Sequence, residues 1–237
     1  EMSASLVGSE MCIRDRFLES FQMAREAGFS NINVDLMFAI PGQCYEGWIE
    51  NLRMVAALGP EHISAYSLII EEGTPFSRKK LDLPDEDTEY RMYEDVAVVL
   101  KEYGYHQYEI SNYAKAGCEC RHNEGYWQRK DYLGLGLGAA SLLGKERFSN
   151  TSDMQEYLKN SSAPEKIQKN WELLTREDEM AEFMFLGLRM TQGVSKKEFQ
   201  EYFGTAIENI YGEVLKKYKK QGLLLDCLLY TSPSPRD

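Results

Sequence analysis

An acid inside an otherwise apolar run is the first residue that could do chemistry. Asp35 sits in Asn31-Ile-Asn-Val-Asp-Leu-Met-Phe-Ala-Ile-Pro41-Gly42-Gln43, where Val34, Leu36, Phe38 and Ile40 alternate with Asp35, Met37 and Ala39. The run is too short and too β-rich for a helix and reads as a buried strand stopped by Pro-Gly. Ligands of α/β folds gather at the carboxyl ends of strands, so Asp35 is either a ligand contact or a brace for a neighbouring loop. A second cluster, Arg121-His122-Asn123-Glu124-Gly125-Tyr126-Trp127, gathers an imidazole, an amide and two aromatic rings in a polar loop. Imidazole is a good haem-iron ligand, and Tyr and Trp offer flat apolar faces with polar tips. The plainer reading makes Tyr126 and Trp127 core anchors and His122 a partner of the backbone.

The five cysteines, Cys12, Cys44, Cys118, Cys120 and Cys227, are odd in number and irregular in spacing, which fits a reducing cytosolic setting better than a disulfide scaffold. Cys118 and Cys120 are too close for a zinc half-site and no second pair completes four ligands, so they read as bland thiols. Cys44 lies at the strand-end turn, with nothing to mark it as a nucleophile. The phosphate-cradling GxxxxGK[ST] pattern is absent, and Gly134, Gly136 and Gly138 do not fit GxGxxG. With 38 Asp+Glu against 27 Lys+Arg the chain is acidic, which argues against a nucleic-acid-binding surface. No apolar run approaches the roughly 18 residues needed to span a membrane.

These side chains need elements to hold them. Phe17, Phe21, Ala24 and Ala27 fall at helical spacing with Gly28 as the stop, predicting a helix that feeds the Asp35 strand. The spacing of Trp48, Leu52, Val55 and Leu58 predicts a second helix, and His62 to Ile70 is β-branched and aromatic enough for a second strand. Strand, helix, strand within about 40 residues is a right-handed crossover, so the two strands should run parallel. A helix over Thr88–Tyr103, a short strand over Tyr105–Ile110 and a loop over Ser111–His122 follow. Asp131 to Ser141 alternates Leu with Gly and reads as a strand with one bulky and one bare face. It either packs tightly on another element or lets a flat ligand approach the main chain. From Asp153 on, helices are expected over Met154–Leu158, Glu165–Leu174, Arg176–Leu188, Lys196–Phe203 and Ile207–Gln221, with a small strand starting at Gly222-Leu-Leu. That arrangement resembles a winged-helix-like appendage.

Residues 1–16 and 227–237 carry no period of either kind and abut well-patterned segments. They read as non-native tails, of the kind translated from sequencing-adapter read-through, in preference to natural disordered ends. On this reading Cys12 and Cys227 drop out, and the rest is a piece of a longer protein.

Several motifs in order carry a family resemblance: Asn33 to Gln43, His62-Ile-Ser-Ala-Tyr-Ser-Leu68, Glu71-Glu-Gly-Thr-Pro75, Tyr108-Glu-Ile-Ser-Asn112, His122-Asn-x-x-Tyr-Trp127 and Asp131-Tyr-Leu-Gly134. Together they look like the HemW-type family of radical S-adenosylmethionine (SAM) haem chaperones, related to oxygen-independent coproporphyrinogen III oxidase. The likeness runs from Phe17 to Leu224, and the His122-to-Trp127 element resembles the chaperone branch. The resemblance implies an α/β fold: the C-terminal part of a partial (β/α)6 radical SAM barrel with its extension over 17–150, then a helical, winged-helix-like C-terminal domain over 151–226. It implies SAM contacts at Asp35, Ile69 and Ala140 and a haem candidate at His122, with no catalytic residue identified.

The function implied is binding haem and SAM and delivering haem to acceptor proteins. The alternative is SAM-dependent oxidative decarboxylation of coproporphyrinogen III. The implied partners are haem or porphyrin and haem-acceptor proteins, in a cytoplasmic setting, with no nucleic acid, no membrane span, and peripheral membrane association left open. The family holds a [4Fe–4S] cluster in a CxxxCxxC motif, which this chain lacks, so no metal ligand is expected here. The chain as written should bind neither cluster nor SAM tightly and should aggregate through an open sheet edge.

Overall fold

The computed structural model describes the backbone of residues 10–226 and 229–231 and the side chains of residues 15–225. Residues 1–9, 227–228 and 232–237, which hold most of the expected tails, lie outside the described residues, as do the side chains of Cys12 and Cys227. The chain divides into two compact units, Glu1–His106 with Asn112–Cys118, and Gln107–Ser111 with Glu119–Asp237.

The first unit opens with α1 (Glu10–Glu26), which begins upstream of the start expected at Phe17. It continues through β1 (Asn33–Phe38), α2 (Tyr45–Ala57), β2 (His62–Ser67), α3 (Glu86–Glu102), β3 (His106–Gln107) and β4 (Asn112–Ala114). The sheet order is β1-β2-β4-β3. β1 and β2 are parallel, in register from Asn33 beside His62 to Phe38 beside Ser67, as the crossover spacing requires. β4 is a correction: Asn112–Ala114 was expected in a loop, but it pairs antiparallel with β2 and is buried throughout. Ile40 falls outside β1 because Ala39 turns the chain at φ 55°.

Alternation buries Val34 and Phe38 under the sheet, and helical spacing buries Trp48, Leu52, Val55 and Ala56 from α2 and Met92, Val96, Val99 and Leu100 from α3. The Phe38 and Trp48 rings lie 5.2 Å apart, and Trp48 Nε1 donates to the Met92 carbonyl at 3.1 Å, so the indole is both packed and satisfied. Asp85 caps α3 by accepting from the Thr88 N–H. Tyr105, just past α3, donates from its hydroxyl to the Pro60 carbonyl at 2.5 Å.

The second unit contains α4 (Arg121–Trp127), β5 (Ala140–Leu143), β6 (Glu146–Asn150), α5 (Met154–Lys159), α6 (Pro164–Ile167) and β7 (Gln168–Leu173). It then runs through α7 (Arg176–Gly187), β8 (Val194–Ser195), α8 (Lys196–Phe203), α9 (Ile207–Lys220), β9 (Leu225–Asp226) and β10 (Leu229–Thr231). Strands β5-β6-β7 form one antiparallel sheet and β8-β10-β9 another. The helix expected over Glu165–Leu174 is mostly strand. β7 pairs along β6 and lays Trp171 on Phe148, ring centroids 4.4 Å apart, so cross-strand packing overrides a helix-compatible pattern. The small strand expected from Gly222 begins at Leu225, and β10 lies within the expected C-terminal tail. Helices α7, α8 and α9 close on Met180, Met184, Val194, Phe199, Phe203, Ile207, Leu215 and Leu224, with the β8-β10-β9 sheet as a wing. Their ends are written in sequence: a capping box between Thr175 and Asp178, Ser195 at the start of α8, and Gly204 at φ 64° closing it.

Candidate functional site

Asp35 lies on the polar face of the first sheet. The period of two puts Asn33, Asp35 and Met37 on one side of β1, and parallel register brings His62, Ser64 and Tyr66 beside them. Asn33 is the hub. Its Oδ1 accepts from His62 Nδ1 at 2.7 Å and from Ser64 Oγ at 3.2 Å, and its Nδ2 donates to Asp35 Oδ1 at 2.8 Å. With the amide so placed, the proton of His62 sits on Nδ1. His62 and Ser64 are buried while Asp35 is exposed, so one carboxylate oxygen is fixed from below and the group faces outward. A preoriented carboxylate accepts hydroxyl or ammonium donors well. Asn33, His62 and Ser64 were not singled out from sequence. The alternation of polar residues at 62, 64 and 66 was the available signal.

Ile69 is elsewhere in the same unit, two residues beyond β2 and strongly exposed, lining an apolar cavity of about 330 Å³ with Ile70, Glu71, Thr74, Pro75 and Phe76. Asp35 is not among the lining residues. The loop wall is braced locally, Thr74 Oγ1 donating to the Glu71 carbonyl at 2.7 Å and Ser77 Oγ to the Thr74 carbonyl at 2.8 Å.

In the second unit, Ala140 is exposed at the start of β5. The glycine-rich run before it is not the strand expected over Asp131–Ser141. Only Tyr132 pairs, by a bridge to Leu142, and the rest is loop. Of the two alternatives for its bare face, tight packing is realised at Gly134, while Gly136 faces open space. A Cβ on Gly134 would meet the Ala140 carbonyl oxygen at 2.2 Å. Ser141 Oγ accepts from the Gly134 N–H at 2.9 Å, and Asn150 Nδ2 donates to the Gly134 and Gly136 carbonyls at 3.2 and 2.8 Å. Leu133, Leu135 and Leu137 are left exposed.

His122 is on helix α4, not in the loop expected there. Four residues along a helix is one turn, so Tyr126 meets it edge-to-face, with centroids 4.7 Å apart and planes at 76°. Tyr126 in turn meets Tyr132 at 4.7 Å and 78°. His122 is exposed and makes no hydrogen bond to other described residues, so the plainer reading of it as a backbone partner does not hold. Tyr126 and Trp127 are half-buried rather than core residues, and the Arg189 guanidinium lies 4.5 Å over the Trp127 ring.

Both ends of α4 are fixed within the second unit. Tyr108 Oη accepts from the Cys120 N–H at 3.2 Å; burial raises the Tyr108 pKa well above its ordinary value, outweighing that hydrogen bond, which lowers it. Just past the helix, Arg129 adopts φ 52° and buries its guanidinium against α7, with Nε donating to Glu182 at 2.7 Å and Nη1 in a longer ion pair with Glu179 at 3.8 Å. Arg147 of β6 also reaches Glu182, at 2.5 Å, and Lys145 reaches Glu179 at 2.9 Å. Burial alone would lower the Arg147 pKa, but the Glu182 hydrogen bond and charge outweigh it and the direction is up. This ion cluster was invisible from sequence because its members are scattered over 53 positions.

Among the described residues no group of three or more His, Cys, Asp or Glu could hold a metal ion, and no helix is long and apolar enough to cross a membrane. The described residues therefore do not offer the ligand set an iron–sulfur cluster needs.

The family described as HemN C-terminal domain matches residues 174–226. The chain is 40% identical over 209 residues to the heme chaperone HemW of Bacillus subtilis (strain 168), covering 86% of this chain and 55% of that protein. It is 37% identical to the heme chaperone HemW of Lactococcus lactis subsp. lactis (strain IL1403), covering 87% and 55%. A zebrafish (Danio rerio) relative, radical S-adenosyl methionine domain-containing protein 1, mitochondrial, is 29% identical over 88% of this chain and 51% of its own length. The chain thus spans about half the length of the curated relatives it matches. Among solved structures, coproporphyrinogen III oxidase (HemN) from Escherichia coli, a radical SAM enzyme, superposes with a TM-score of 0.75 at 20% identity, covering 91% of this chain and 54% of that one. That likeness shows the radical SAM fold, including its C-terminal domain.

Proposed function

The chain belongs to the HemW-type family of radical SAM proteins, and from that premise we propose that it is the part of a haem chaperone that presents His122 to haem iron. The observation that carries this reading is the state of His122: exposed, on a short helix tied down at both ends, with an aromatic ring beside it and no hydrogen bond to other described residues. An imidazole left open in this way can give a lone pair to iron. Haem is here the cargo, and haem-acceptor proteins in the cytoplasm are its destination.

SAM would be held in part by Asp35, whose oriented carboxylate suits ribose hydroxyls or the methionine ammonium, with Ile69 as an apolar wall. In this reading residues 17–150 belong to the barrel and its extension and 151–226 to the C-terminal domain. The oxidase likeness, at 20% identity, supports the fold and leaves the chaperone reading in front.

Titration of the chain with ferric haem, followed by absorption spectroscopy, tests the proposal. His122→Ala is expected to weaken binding about tenfold or more and to shift the haem band. Unchanged affinity and spectrum would remove His122 from the site.

A further inference from the structure

A metal-binding histidine ordinarily has its ring oriented by a hydrogen bond from the nitrogen that does not bind, usually to a carboxylate or carbonyl. His122 has no such partner among the described residues, yet its ring is not left without a neighbour. We propose that Tyr126, backed by Tyr132, is the positioning residue of His122: a ring stack sets the imidazole plane and leaves both nitrogens open to a ligand. This rests on the haem-binding reading above.

The three rings follow one another edge-to-face at 4.7 Å, with planes turned by 76° and 78°. This is the geometry aromatic pairs prefer, because the positive edge of one ring meets the negative face of the next. The stack is built on fixed backbone. Tyr132 exchanges two main-chain hydrogen bonds with Leu142, at 2.8 and 2.9 Å, and so is tied to β5. Tyr126 is held because α4 is fixed at Cys120 by Tyr108 and just past its end by Arg129 on Glu182. His122 is the one member of the stack that projects freely into solvent, so the orientation of its ring comes from Tyr126. A phenol is not needed for this, since the contact is between rings. Phe should serve where Ala cannot.

The test compares ferric haem binding by the unaltered chain, His122→Ala, Tyr126→Phe, Tyr126→Ala and Tyr132→Leu, each checked for native circular dichroism. Tyr126→Phe should keep wild-type affinity and spectrum. Tyr126→Ala should bind about three- to tenfold more weakly, with a haem band moved toward that of His122→Ala. Tyr132→Leu, which leaves the Tyr126 ring in place but removes its backing, should move in the same direction by less, and it serves alone if Tyr126→Ala does not fold. Wild-type affinity and spectrum in Tyr126→Ala or, where that variant does not fold, in Tyr132→Leu would overturn the positioning role while His122→Ala still fails, leaving the haem reading intact. If His122→Ala itself binds haem normally, both fall together.

Discussion

Gly134 can carry no side chain, because the Ala140 carbonyl occupies the space a Cβ would need. Gly134→Ala should therefore destabilise the chain by about 2 kcal/mol or more, read as a shift of the urea midpoint, while Leu135→Ala on the exposed side of the same loop should be nearly neutral. The Leu/Gly alternation was visible in the sequence, and so was the choice it posed between packing and ligand approach. What resolves it is the Gly134-to-Ala140 contact and the Asn150 tether, neither of which has a periodic signature. Asp35 was legible as a lone acid in an apolar strand, but its fixing by Asn33 depends on knowing the register against β2.

Elements with strong helical period and marked ends were legible to within three residues at each end: α2, α3, α8 and α9 all bury the faces their spacing picks out. β4 and β7 were missed because a strand of three residues and a polar, helix-tolerant strand are specified by their partners rather than by themselves. Two clamps between elements carry predictions. Removing the buried charge of Glu182 leaves Arg129 with the longer Glu179 pair alone between α7 and the turn after α4, so Glu182→Gln should cost about 3 kcal/mol in urea unfolding. The second clamp is Glu61, which binds Arg25 of α1 at 2.9 Å and accepts from the Ile32 N–H ahead of β1. Burial pushes its carboxyl up, but the Arg25 and Ile32 hydrogen bonds and the charges of Arg25 and Lys115 outweigh that and hold it below its ordinary value. A depressed carboxyl contributes stability above its unfolded pKa of about 4.3 and loses it as the pH falls through the folded value. Glu61→Gln should accordingly flatten the acid limb of the stability curve below about pH 5 and lower the plateau at neutral pH by about 1 kcal/mol.

Taken whole, the molecule carries a formal charge of −11 and a sheet whose β1 edge meets no other strand among the described residues. Charge repulsion opposes pairing of such an edge with another copy, and it fades toward the isoelectric point near 4.9. Light scattering should therefore rise steeply as the pH approaches that value, and Met37→Lys, on the exposed face of β1, should delay it with little change in the unfolding midpoint. At the other end of the pH range, the Tyr105 hydroxyl buried on the Pro60 carbonyl has a different use. Burial, helped by the Glu61 charge, pushes its pKa from 10.0 up to about 12. Between those two values the unfolded chain gives up this proton and the folded chain keeps it, so stability falls through that window as alkali is added. The phenolate absorbance of Tyr105, isolated by difference against Tyr105→Phe, becomes a built-in optical gauge: it should stay dark while the first core is closed and light up when that core opens.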